Sequence, residues 1–385
     1  MMDAKNTQDA TETVEQNPAA SHAEPREDKP EGSESEAEFE PETDYQPQSD
    51  GRSWQYPRDD PAPIPTLAVL YKTGLFEIGP AKRGILEPLV NQKWVFDSTE
   101  SLVSYSPSET GVLDIRTPWT PWAHKVRRAV VLPGTEATST AGWFAHMGNM
   151  RKIDLSGLSS EYVIEDLSCM FYGCSSLKCI DARRLANIDP VPTPGMFFGC
   201  ASLMQVRFPW TLHPSDAFAM FCGCSSLEAL DVSNLFMADC TSMRSMFRGC
   251  SSLKSVDASQ FNTLNCTDMS SMFQDCSSLT FLDVSDFNMR NCTDMSRMFF
   301  RCSSLKSLCT SGFNTAACVD MGEMFAGCSS LGSLDVSHFD TSACRRMKDM
   351  LSGCDLTKVR GASGLDTSSC DDDMRESYLS GSRRD

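Results

Sequence analysis

The chain has 385 residues, 41% of them apolar and 22% charged, and 52 acidic against 34 basic side chains give it a formal net charge of −18. A surface that tracks phosphates needs a basic face, so no nucleic-acid partner is expected. No run of about 18 apolar residues and no charged-then-apolar leader is readable, so neither a membrane span nor a signal peptide is expected.

Residues 1–62 are rich in Glu, Asp, Pro, Ser and Gln, and the first 60 carry 17 acidic and 5 basic side chains, a net −12. With so few large apolar residues this stretch cannot repay the entropy of ordering, which predicts a disordered acidic tail, either a solubilising spacer or an acidic docking segment. Composition turns ordinary in 63–142. Short strands are expected at Lys93–Phe96, Val112–Ile115 and Val130–Leu132, and Pro118, Trp119, Pro121 and Trp122 form an aromatic turn. Together with Trp94 and Trp143, these tryptophans are expected to be the core of a small β-rich N-terminal cap, since a solenoid must cover its exposed end; the competing reading is a carbohydrate or peptide contact. Leu132-Pro133-Gly134-Thr135 resembles a sortase sorting motif, but Glu136 follows and no hydrophobic tail comes after it.

From 143 to 374 the chain consists of about nine units of 24–27 residues, with Cys224, Cys250, Cys276, Cys302, Cys328 and Cys354 recurring every 26. A fixed period of this size means a solenoid whose units bury their apolar faces against one another. In the unit CTDMSSMFQDCSSLTFLDVSDFN, Met269, Met272, Phe273 and Cys276 have the i, i+3, i+4, i+7 spacing of a short helix, with Asp268 as its N-cap. Leu279, Leu282 and Val284 then form an L-x-x-L-x-[LV] strand with Leu282 and Val284 on one face and Asp283 and Ser285 on the other. Glycine precedes the cysteine in most copies, where a left-handed residue is wanted; Asp275 and Arg301 stand there in two, and Arg tolerates that conformation worse. Pro190, Pro192, Pro194, Pro209 and Trp210 make 185–217 irregular, so looping of the convex side is expected there. Past Cys354 the pattern loses a residue and fades; 375–385 is a polar tail without an apolar run to cap the last rung. That edge is expected either to pair with a partner or to be covered by further chain.

The motifs MFxGCSSL, LDVSxF and CTDMSSMF resemble the 26-residue repeat of bacterial surface proteins, the BspA-like group of leucine-rich repeats, over Trp143 to about Met374. The resemblance implies a leucine-rich-repeat solenoid, with a parallel sheet on one face and short helices or turns on the other. It also implies a non-enzymatic adhesin or protein-binding scaffold at the cell surface or outside the cell, engaging a protein or host-surface ligand. It brings no catalytic residues and no cofactor. Cytoplasmic residence, with an intracellular scaffold whose cysteines stay reduced, is the alternative that the missing leader favours. One departure is Cys where the family commonly has Val before Thr-Asp-Met.

All 18 cysteines lie at or beyond Cys169, and 12 fall into two ladders, Cys224 to Cys354 and Cys240 to Cys370. Stacked rungs bring like positions about 5 Å apart, within disulfide reach, yet buried free thiols packing as small hydrophobes are the favoured reading over inter-rung disulfides. No C-x-x-C pair is present and the 5 histidines are scattered, so no metal site is expected. Candidate binding residues are the strand positions Asp154, Asp181, Arg207, Asp231, Asp257, Asp283, Asp335 and Arg360, with Trp210 from the irregular segment. Carboxylates stacked this closely repel, which raises some of their pKa values or recruits a cation or Arg; the row reads either as a stripe for a basic partner or calcium or as a solvated strand face bonded to nearby serines. Asn265-Cys266-Thr267 and Asn291-Cys292-Thr293 fit the glycosylation pattern at positions where a turn residue is needed anyway.

Overall fold

The chain divides into two units, Met1–Asp60 and Pro61–Asp385, and everything described belongs to the second. The computed structural model describes residues 66–80, 90–96, 103–105, 113–115, 117–159, 163–185, 189–258, 261–368 and 370; the stretches 1–62 and 375–385 lie outside them.

The cap begins with a hairpin of Thr66–Tyr71 (β1) and Leu75–Pro80 (β2), followed by Val90–Phe96 (β3), a separate antiparallel pair of Val103–Tyr105 (β4) and Leu113–Ile115 (β5), then Arg128–Val131 (β6) and Lys152–Asp154 (β7). The main sheet has the order β3-β1-β2-β6-β7. Its hairpin half is antiparallel, and from β2 through β6 to β7 it turns parallel, so it hands over to the rung direction of the solenoid. The three strands expected from sequence fall on β3, β5 and β6. The hairpin was not readable because TLAVLY is buried along its whole length and shows no alternation. The tryptophans are cap core: Trp119 and Trp143 are buried, the Trp119 indole N–H donates to the Trp143 carbonyl at 2.9 Å, and Trp94 lies 6.0 Å from Trp119 and 5.6 Å from Trp122.

Beyond the cap the described residues form a leucine-rich-repeat solenoid of nine rungs, keyed by Phe144, Phe171, Phe197, Phe221, Phe247, Phe273, Phe299, Phe325 and Leu351 at one buried position. The strands are short, such as Phe281–Leu282 paired in parallel with Ser307–Leu308, and Leu282 and Val284 point inward while Asp283 and Ser285 face out, as the alternation requires.

The segment from Met269 to Cys276 differs from its expectation: it is a run of turns, and no α-helix occurs among the described residues. Ser271 and Asp275 have φ of 58° and 60°, in the left-handed region that ends a right-handed helix. The amides of Met269, Ser271, Phe273 and Asp275 donate to Asp294, Ser296, Met298 and Phe300 of the following rung at 2.8–3.0 Å, while those of Met272, Gln274 and Cys276 donate three residues back at 3.1–3.3 Å. Every second amide thus bonds along the solenoid axis, and the spacing that reads as one helical face marks the inward positions of a turn ribbon. Asp268 keeps its capping chemistry without a helix: its carboxylate accepts from the Ser270 amide at 2.8 Å, and its backbone bridges to Ser242 and Asp294 in the flanking rungs.

The same alternation corrects the expectation of a looped convex side at Asp189 to Gly195. Val191–Pro192 pairs in parallel with Pro214–Asp216. Val191, Thr193 and Gly195 supply the axial amides, to His213, Asp216 and Phe218, while Pro190, Pro192 and Pro194 occupy the intervening positions whose N–H the axial ladder does not use. The proline carbonyls still accept, Pro192 from Leu167 and Pro194 from Cys169.

Inside, like residues stack on like. The eight phenylalanines form a continuous column with centroids 5.2–5.8 Å apart and rings within 11° of parallel. Buried hydroxyls are satisfied along the axis too: Thr263, Thr310, Thr315 and Thr341 donate to carbonyls of the next rung at 2.6–3.1 Å.

Phe247→Ala removes a fully buried ring held 5.6 Å from Phe221 and 5.4 Å from Phe273, and should cost about 3–5 kcal/mol in urea unfolding. In the opposite direction, Arg301 has φ of 58° at the column position that Gly327 and Gly353 hold, so Arg301→Gly should raise stability by about 1 kcal/mol in the same assay.

Candidate functional site

The strand-face residues singled out by sequence fall in one row. Asp181 is in register with Arg207 and Asp335 with Arg360, and Asp231, Asp257 and Asp283 follow strand residues of three successive rungs. Four of these aspartates end their strands by accepting an amide two residues on: Asp154 from Ser156 at 2.9 Å, Asp231 from Ser233 at 3.0 Å, Asp283 from Ser285 at 3.0 Å and Asp335 from Ser337 at 2.9 Å. This is the Asx-turn chemistry that makes D-V-S a strand-stop signal.

Two members of the row are neutralised within the protein, Asp181 by Arg183 at 2.6 Å and Asp335 by Arg360 at 3.4 Å. Its middle, Asp231, Asp257 and Asp283, is exposed, and Phe281, 56% exposed, stands two residues before Asp283. At Asp181, Asp231, Asp283 and Asp335 the carboxylate pKa is lowered, not raised. The Ser233 and Ser285 hydroxyls and amides hold Asp231 and Asp283 below the usual carboxylate range, outweighing the repulsion from Asp257. Arg183 does the same for Asp181, and Ser337 for Asp335.

Trp210 is not on this row. It lies three residues beyond Arg207 in the irregular segment and is 74% exposed. On the next rung the Phe236 ring stacks on His213 at 4.9 Å, and Leu212 bridges to Leu235.

A second carboxylate row, on the turn side, was missed because Thr-Asp-Met read as a helix start. Asp268, Asp294 and Asp320 are bridged in succession, ending at Arg346, whose guanidinium pairs with Asp320 at 2.9 Å. These groups sit deeper: desolvation raises the pKa of Asp216 and of Asp268, with Asp268 adding to the first and Asp294 to the second by like charge. The repulsion expected for the strand row is thus found here, and the 26-residue recurrence of Asp before Met was its signal. Among the described residues, no group of three or more His, Cys, Asp or Glu side chains is placed to hold a metal ion, and no helix is long and apolar enough to cross a membrane.

The remaining motifs are absorbed by the fold. Asn265 and Asn291, the two glycosylation-pattern asparagines, each donate a side-chain N–H at 2.8 Å to a carbonyl of the preceding rung, of Ala238 and Leu264. Thr135 of the Leu-Pro-Gly-Thr stretch is buried, its hydroxyl 2.6 Å from the Leu132 carbonyl. All 18 cysteines are free, and 14 of them are buried.

A carboxyl whose folded pKa is raised binds its proton more readily folded than unfolded, so its charge costs stability at neutral pH and that cost fades as pH falls through the folded pKa. Asp268→Asn keeps the acceptor for Ser270 and removes the charge. It should raise the thermal midpoint at pH 7, and the gain over wild type should shrink toward zero by about pH 3–4 in circular-dichroism melts.

Three comparisons bear on the chain. A family model described as "Mycoplasma protein of unknown function, DUF285" matches residues 194–307 and again 279–378. Searching the curated proteins gives no match. A solved leucine-rich repeat protein from Eubacterium ventriosum is similar over 75% of this chain and 93% of its own at 12% identity, but its TM-score of 0.25 is too low to carry an argument.

Proposed function

We propose that this chain is a non-enzymatic protein-interaction scaffold that engages a basic, extended segment of its partner along the strand face. The observation that carries this reading is the central row of Asp231, Asp257 and Asp283 beside the exposed Phe281. Three carboxylates repeated at the inter-rung spacing, with Asp231 and Asp283 oriented by Asx turns, offer a rigid acidic track that needs no reordering on binding. Phe281 adds apolar and cation–π contact area of the kind that anchors interfaces. Trp210, with Phe236 on the rung after it, offers a second anchor on the irregular segment.

An adhesive role at the cell surface is supported by the resemblance of the repeats to BspA-like surface proteins. An intracellular scaffold is the second reading, and the buried free thiols favour it.

The binding test uses fluorescent oligolysine as the probe, at low and high salt. Replacing Asp231, Asp257 and Asp283 together by Asn should weaken binding at least tenfold at low salt while leaving the melting midpoint within a few degrees. Phe281→Ala should lower affinity with less effect on the salt slope. Equal binding by the triple variant would remove the strand face from consideration.

A further inference from the structure

Sequence shows cysteine recurring at one position of eight successive rungs, and the structure shows what its proton does. From Cys174 through Cys200, Cys224, Cys250, Cys276, Cys302 and Cys328 to Cys354, each thiol donates to the carbonyl of the column phenylalanine in the preceding rung, at 3.0–3.2 Å. Each such carbonyl already has one partner: Phe273 accepts the Cys276 amide at 3.1 Å on one lone pair and the Cys302 thiol at 3.0 Å on the other. In the second column Cys240, Cys266, Cys292, Cys318 and Cys344 donate to a carbonyl two residues on, at 3.2–3.3 Å. The thiols are therefore hydrogen-bond donors built into the axial ladder as well as filling groups.

We propose that the cysteine columns make this a reduced-state fold, one that assembles only while its thiols carry their protons and that seals them from oxidants once assembled. Three features carry the inference. A thiolate, sulfenate or disulfide sulfur has no proton to give, so oxidation unmakes the donor at every rung it touches. All members of a column point the same way along the axis, whereas a disulfide needs two sulfurs about 2.05 Å apart, so both side chains would have to swing off their carbonyls. The columns are closed as well, with Cys174 to Cys302 fully buried beside the phenylalanine stack, leaving no room for an added oxygen or an approaching oxidant.

Burial also pushes the Cys200 and Cys302 thiols up to about 12, far from the thiolate form that oxidants attack. In the unfolded chain these protections vanish. Thiols 26 residues apart can then be joined by a peroxide-class oxidant: two thiols and one hydrogen peroxide give one disulfide and two waters, with the S–S bond formed, the O–O bond broken and both thiol protons ending in water. Most loops so closed cannot be accommodated in the ladder. Assembly then belongs to a thiol-reducing compartment, whatever the protein's later location, and this does not depend on the strand face being the binding surface.

The experiment varies the order of exposure, using the full chain carrying Cys309→Ala so that the exposed thiol does not report. Protein folded first and then treated with hydrogen peroxide should keep its melting curve and at least the 14 buried thiols on later counting in denaturant. Protein given the same peroxide in urea and then diluted should lose at least nine-tenths of its cooperative melt, and dithiothreitol should restore it. The proposal fails if the column thiols disappear equally fast from folded and unfolded protein. It fails as well if the oxidised chain refolds with an unchanged melt, or if reductant restores nothing.

Discussion

The structure depends on one constraint: each coil must return to the same register, so that an amide in one rung meets the carbonyl 25 residues on. Met269 to Asp294, Ser271 to Ser296 and Phe273 to Met298 are successive bonds of that ladder. Because only alternate amides take part, the intervening ones close turns within the rung, and left-handed residues at Ser271 and Asp275 bend the chain back on itself. Register of this kind is cooperative along the axis, and a rung without its neighbours would have half its turn amides unpaired.

That constraint dictates the composition of the interior. When like positions superpose, a side chain must pack against a copy of itself, which flat rings, methionines and small thiols do well. The phenylalanine column and the thiol column run side by side, joined because the phenylalanine carbonyl that ends one turn receives the thiol of the next rung. Polar side chains in the interior obey the same rule, as the buried threonines bonded to the following rung show.

The surface divides the acidic residues into two classes that composition alone does not distinguish. Asp231 and Asp283 at the strand ends are exposed and hold their protons loosely because serine donors favour the charged form. Asp216 and Asp268 on the turn side are desolvated and hold theirs more tightly. Arg183 and Arg360 already pair with Asp181 and Asp335, while Asp231, Asp257 and Asp283 between them are exposed.

The sequence by itself determined the repeat length, the inward positions, the strand face and the burial of the cysteines, because each follows from periodicity and a stacked coil leaves a periodic pattern no other arrangement. It also located the strand aspartates, which the structure brings into one row, and Trp210, which it leaves outside that row. Tertiary structure alone decided that Met269, Met272, Phe273 and Cys276 lie on a turn ribbon, since a helix and this ribbon present the same spacing and differ only in whether the acceptor is four residues away or on the next rung. It decided for the same reason that Pro190, Pro192 and Pro194 pair with a neighbour instead of looping, and that the β1–β2 hairpin exists where burial on both faces erases alternation. A bond to another rung lies beyond the reach of any local pattern, so those choices become visible only when the coils are set side by side.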